Sequence, residues 1–99
     1  MIHAVKINPE YYEAVKDGSK RFEVRKFDRP YGVGDYLALN EYDENCYTGR
    51  AMLFKITYVL RSPIYCKESY VILSISPCTI QCEGDAIRVA PRFELGGAE

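Results

Sequence analysis

The pattern of apolar and polar positions changes period several times along the chain, and each change marks an element. Ile2, Ala4, Val5 and Ile7 read as a short strand over 2–7. Asn8 then suits a helix N-cap, and the fixed φ of Pro9 suits the first helical position. Glu10 places an anion in the first turn, where the helix dipole favours one. Tyr11, Ala14 and Val15 fall at i, i+3 and i+4, which predicts one apolar stripe, and Gly18 supplies the stop. A helix of about two and a half turns does not persist alone, so it must pack on a sheet.

The next segment, 20–27, is a strand studded with charge. Phe22 and Val24 alternate with Arg21, Glu23 and Arg25. Asp28, Arg29, Pro30, Tyr31 and Gly32 form a turn, and Gly34-Asp35 leads into a third strand over 36–42 with Leu37 and Leu39 on one face. The polar stretch 43–49 reads as a hairpin loop. A long strand follows over 50–60, with Met52, Phe54, Ile56, Tyr58 and Leu60 on one face and Lys55 and Thr57 on the other. Pro63 interrupts the connection 61–69. Residues 70–75 are apolar on both faces, which predicts a central strand that Pro77 ends. Ile80 and 87–89 suggest a short edge strand, and Gly96, Gly97, Ala98 and Glu99 a frayed end. Five or six strands and one early helix predict an α+β, mostly β fold: a small antiparallel barrel with the helix plugging one end. An open α+β sandwich is the alternative.

Ninety-nine residues make one domain, here 1–99, with a core over 3–75 and a C-terminal extension over 76–99. The formal net charge is −1, so the chain as a whole is no polyanion binder. Its distribution matters more. Residues 20–29 carry five Lys and Arg against Glu23 and Asp28, a local excess that suits phosphate or a solvated edge strand equally. No apolar run approaches the ~20 residues of a membrane span, and the N-terminus lacks a signal pattern, so a cytoplasmic location and no membrane partner are expected. The four cysteines are then expected as reduced thiols. Cys78 and Cys82 have loose spacing for half a zinc site and His3 is remote in sequence, so neither metal nor cofactor is expected.

The charged strand carries the candidate chemistry. Glu23 and Arg25, two apart, project from one face within reach of each other or of a shared ligand. They form either an ion pair on a solvated face or a site in which Arg25 forks onto a phosphate or carbonyl while Glu23 orients it or accepts from a base amine. Lys20 could contact phosphate or act as a base. Arg21 and Lys26 extend the basic stretch. Tyr42 and Tyr47 could stack on a base, and Arg50 could join the cleft or pair with Asp43 or Glu44. Asp35 reads as a turn cap and His3 as structural. There is no Gly-x-Ser-x-Gly elbow and no phosphate-binding glycine loop.

Gly18-x-Lys20-x-x-Glu23-x-Arg25, then Val33-Gly34-Asp35, Tyr47-Thr48-Gly49-Arg50 and 70–75, together resemble the ASCH family of the PUA-like superfamily, in a small uncharacterised branch common in bacteria and phages. The resemblance covers roughly 3–75. It implies a PUA-type barrel with a cleft beside the helix and the 20–25 strand, and RNA or a modified base as ligand. Some small ASCH proteins deacylate a modified cytidine. Their motif lysine matches Lys20, but the threonine nucleophile three residues later is Glu23 here, and Glu68 is the candidate for their downstream acid.

The leading expectation is therefore a domain that binds RNA or a nucleotide-like ligand through Lys20, Arg21, Glu23, Arg25, Lys26, Tyr47 and Arg50. The alternative is a small hydrolase of a modified nucleoside or of RNA, with Lys20 as base or electrostatic activator and Glu23 steering water. A protein-interaction module of a phage or mobile element is the third.

Overall fold

A computed structural model describes residues 1–83 and 86–91. The elements run β1 (Ile2–Ile7), α1 (Pro9–Asp17), β2 (Phe22–Lys26), β3 (Tyr36–Asp43), β4 (Cys46–Leu60), β5 (Tyr70–Glu83) and β6 (Ala86–Pro91). The sheet order is β1-β3-β4-β5-β2, with β6 paired to β5. The first five strands curl into a half-barrel, and the fold is the small α+β, mostly β architecture expected. Two features depart from a uniform antiparallel barrel. β1 runs parallel to β3, and β1 and β2, the two ends of the sheet, share no ladder among the described residues.

The helix forms where its signals lie. Asn8 is extended (φ −67°, ψ 149°), Pro9 opens the first turn, and Gly18 closes it with φ +91° in the left-handed region. Its buried face is Tyr12 and Val15; Val15 keeps its expected place, while Tyr11 is exposed and Tyr12 is buried in its stead. The core gathers Val5 and Ile7 of β1, Leu37 and Leu39 of β3, Phe54 and Ile56 of β4, and Val71, Leu73 and Ile75 of β5 around that helix face, with Tyr31 beneath.

Three local devices reshape the strands. The β3–β4 hairpin turns in two residues, Glu44 and Asn45, both with positive φ (48° and 68°). The expected loop to Gly49 is instead the start of β4. Opposite Ile75 and Ser74, β4 carries Thr57 as an extra residue, so the alternation slips there. Tyr58 consequently faces solvent, and Val59 packs on the core. Finally, Pro77 does not end β5. The Ile75 amide donates to the Arg21 carbonyl toward β2, so the nitrogen of Pro77 faces the same side beyond the end of β2, where no ladder bond is lost. β5 runs on, and Cys78–Glu83 pairs with β6, the edge strand expected around 87–89. The expected frayed end, 96–99, lies outside the described residues.

No helix among the described residues is long and apolar enough to cross a membrane. No cluster of three or more His, Cys, Asp or Glu there could hold a metal ion.

Candidate functional site

The register of β2 decides the site. Glu23 pairs with Leu73 and Arg25 with Val71, both fully buried, so the charged face of β2 turns into the half-barrel. Phe22 and Val24 are on the other face and are 46% and 50% exposed. The strand is thus inverted relative to ordinary amphipathic packing: carboxylate in, apolar groups out.

Glu23 is 4% exposed, and two cations compensate it. Lys20 Nζ donates to Glu23 Oε1 and, at 2.6 Å, to the Phe22 carbonyl. Arg25 Nη1 lies 3.4 Å from Glu23 Oε2 and donates to the Lys6 carbonyl at 3.0 Å. Arg29 makes a parallel bond to the Ala4 carbonyl at 3.3 Å. These two arginines bridge from the β2 side to β1, across the seam where a closed barrel would have a ladder.

A cleft of ≈ 390 Å³ opens along that seam. Lys6, Ile7, Asn8 and Tyr11 form one wall, and Lys20 with β2 residues Phe22 to Arg25 forms the other. The Lys20 ammonium lies 4.8 Å from the Phe22 ring centroid and 5.6 Å from that of Tyr11. A buried acid held by two cations does little for stability by itself, because desolvation offsets the attraction. It does present a fixed acceptor between fixed donors.

Lys20, Glu23 and Arg25 therefore meet in one concave site. The other expected ligand residues do not join them. Arg21 donates from Nη1 to the Val15 carbonyl at 3.2 Å, at the C-terminal end of α1, because a helix end leaves carbonyls in need of donors. Lys26 shares the outer, exposed face of β2 with Val24. Tyr47 packs edge-on to Tyr42 at 5.0 Å, with Lys6 Nζ over both rings at 5.9 and 4.2 Å. It reaches the cleft only through Lys6.

Arg50 belongs to a second polar cluster. Asn40 pairs with Ala51 and Tyr42 with Tyr47, so Glu41 faces the bulged residues Thr48, Gly49 and Arg50. Glu41, on the inner face of β3, accepts from Thr48 Oγ1 (2.6 Å), Arg50 Nε (2.9 Å) and Arg50 Nη2 (2.7 Å). Glu13 of α1 takes another Nη2 contact at 2.6 Å, and the guanidinium lies over the Tyr12 ring at 4.4 Å. The Arg50 and Thr48 bonds hold the Glu41 carboxyl down to about 2, and the two acids raise the Arg50 pKa. This cluster ties the helix to the sheet. Its partners are Glu41 and Glu13, not Asp43 or Glu44.

His3 is buried and bonds through Nε2 to Asp35 at 2.9 Å. Asp35 also accepts the Gly32 amide at 3.1 Å, so it does cap its turn. The His3 bond, chief among its partners, lowers the Asp35 pKa. Sequence reasoning passed over Lys6, Asn8, Tyr11 and Phe22 as cleft residues. Their exposure on the two walls of the seam follows from tertiary pairing, and the periodicity, which sets Tyr11 on the apolar stripe, carries no signal for it.

Fold and site together define a small α+β half-barrel whose charged cleft occupies the gap between its terminal strands. The chain belongs to the family described as a domain of unknown function, DUF3850, whose pattern matches residues 2–75. It is similar to an uncharacterised 12.9 kDa protein in the GpA 3′ region of Escherichia phage P2, with 39% identity over 85 residues, covering 81% of this chain and 77% of that one.

Proposed function

We propose that this protein is an RNA- or nucleotide-binding domain of ASCH, PUA-like type, whose seam cleft takes a base and its phosphate. The observation that carries this reading is Glu23, a carboxylate buried at the cleft between Lys20 and Arg25. A carboxylate in that position accepts from an amino or imino group of a base edge, as acids do toward cytosine N4. Lys20 and Arg25 supply phosphate or carbonyl contacts. Exposed Tyr11 and Phe22 flank the site as surfaces on which a base can stack.

The hydrolase alternative is less well supported. Lys20 is engaged as a donor to two acceptors, and Glu23, in the nucleophile's place, is tied to two cations. The test is binding of short RNAs and of nucleoside monophosphates over a salt series, wild type against Arg25→Ala. Binding that weakens with salt and falls at least tenfold in the variant is expected. No binding at low salt, or no effect of the variant, would remove the proposal.

A further inference from the structure

The outward apolar face of β2 leads away from the seam toward a larger hollow. Val24 lines both the seam cleft and a groove of ≈ 290 Å³ beneath Tyr65 and beside Ile72. Cys66, Lys67 and Tyr70 line that groove and also a cavity of ≈ 610 Å³ between Phe27 and the 61–69 connection. The three hollows thus share lining residues in series, Val24 joining the first two and Cys66, Lys67 and Tyr70 the second two.

The chemistry along this path is aromatic and cationic. Tyr65 is 75% exposed. The Arg61 guanidinium lies 3.9 Å over the Phe27 ring, and Lys67 Nζ 5.3 Å over that of Tyr70. A ring contact steadies a cation without consuming its hydrogen-bond donors. Among the described residues, neither Arg61 nor Lys67 makes an ion pair, and Glu68 is the one acid lining the larger cavity. Segments 20–29 and 61–69 hold seven of the thirteen Lys and Arg and three of the fourteen Asp and Glu, so the rest of the chain is strongly acidic. A polyanion would be drawn to these two segments.

We infer that the ligand is a single-stranded polynucleotide, not a free nucleotide: it enters at the seam cleft, crosses Val24 and reaches the Arg61–Lys67 cavity. This rests on the seam reading above. Three hollows in series suit a short single strand of about four nucleotides, the small end of what compact β-barrels occupy. Arg61 and Lys67 bind phosphates, and Tyr65 offers a stacking face.

The experiment measures fluorescence anisotropy with labelled RNA of two, four and eight nucleotides, with nucleoside monophosphates as competitors. It compares wild type, Arg61→Ala/Lys67→Ala, Tyr65→Ala and Arg25→Ala. Affinity should rise roughly tenfold or more between a mononucleotide and four nucleotides, then level off. The Arg61→Ala/Lys67→Ala variant should lose that gain, keep mononucleotide binding, and reduce the salt slope by about 1.4, the value for two phosphates on a single strand. Tyr65→Ala should lower four-nucleotide affinity several-fold at unchanged salt slope. Mononucleotide binding with no gain in length would overturn the track and leave the seam reading intact. Oligonucleotide binding indifferent to Arg25→Ala would overturn the seam reading, and the track with it. Equal competition by polyglutamate would overturn the track in favour of an acidic protein partner.

Discussion

Arg25 on β2 donates to the carbonyl of Lys6 on β1, and this bond, 3.0 Å long, crosses the gap that the strand ladder leaves open. The same guanidinium reaches Glu23 at 3.4 Å. One side chain therefore fastens the two ends of the sheet and furnishes the cleft.

Substituting Arg25 should accordingly have two separable effects. Arg25→Ala removes a charged hydrogen bond and leaves Glu23 with Lys20 alone, which costs about 1–2 kcal/mol. Arg25→Lys keeps the charge but not the fork, so it should recover most of the salt dependence of binding and little of the seam bond. Urea unfolding alongside RNA titration reads both. Equal loss of binding in the two variants at equal stability would contradict this division.

Glu23→Gln keeps the shape of the buried side chain and removes its charge. Lys20 and Arg25 then face each other without a counter-ion, so the domain should lose about 1–3 kcal/mol of stability and lose base selectivity before phosphate affinity. Comparing affinities for the four nucleoside monophosphates checks the second part. An unchanged preference among bases would show that Glu23 reads nothing.

Lys20→Ala distinguishes binding from catalysis. It should weaken RNA binding, whereas neither it nor wild type should release acid from acylated cytidines on prolonged incubation, followed by chromatography. Turnover by wild type that vanishes in Lys20→Ala would establish the hydrolase instead.

Acid should loosen the helix from the sheet. The Glu41 carboxyl, ordinarily near 4.5, is held at about 2 by Arg50 and Thr48, and Asp35 is lowered by His3. A group with a depressed folded pKa contributes in full above its unfolded value and loses that contribution as pH falls through the folded one. Stability should therefore decline from about pH 4.5 toward pH 2. Glu41→Gln should be less stable than wild type at pH 6, with the difference shrinking from about pH 4.5 downward and vanishing only as pH falls through about 2, measured by thermal unfolding. A constant difference across that range would exclude Glu41 as the source.

Gly18→Ala should cost about 1 kcal/mol. The position has φ +91°, and a Cβ there would stand 3.1 Å from Nη2 of Arg21, the side chain whose Nη1 holds the end of α1. The urea midpoint reports it; an unchanged or higher midpoint would argue that the helix end is not held this way.

What the sequence made legible was local. Asn8, Pro9 and Gly18 announced the helix, and the alternation of Leu37 and Leu39 announced a strand. The hairpin was legible over 43–49, but not its two-residue turn, because Glu44 and Asn45 adopt positive φ without a glycine. Tyr58 leaves the face of Phe54 and Ile56 because of a single inserted residue, Thr57, which cannot be seen in the periodicity. The proximity of Lys20, Glu23 and Arg25 followed from their spacing, but their inward direction depended on pairing with Val71 and Leu73 nearly fifty residues on. His3–Asp35 and Glu41–Arg50 lay beyond reach for the same reason: a sequence displays charges, not which strands will bring them together.

The open seam has one more consequence. Exposed strand margins invite another molecule to add a strand, and proteins commonly suppress this with charge. Here the carbonyls of Ala4 and Lys6 are already occupied by Arg29 and Arg25, and a buried acid sits beside them. The side chains that make the cleft receptive to a ligand thus also guard it against self-association, so changes that retune recognition at this margin will be constrained by the need to keep the protein from aggregating.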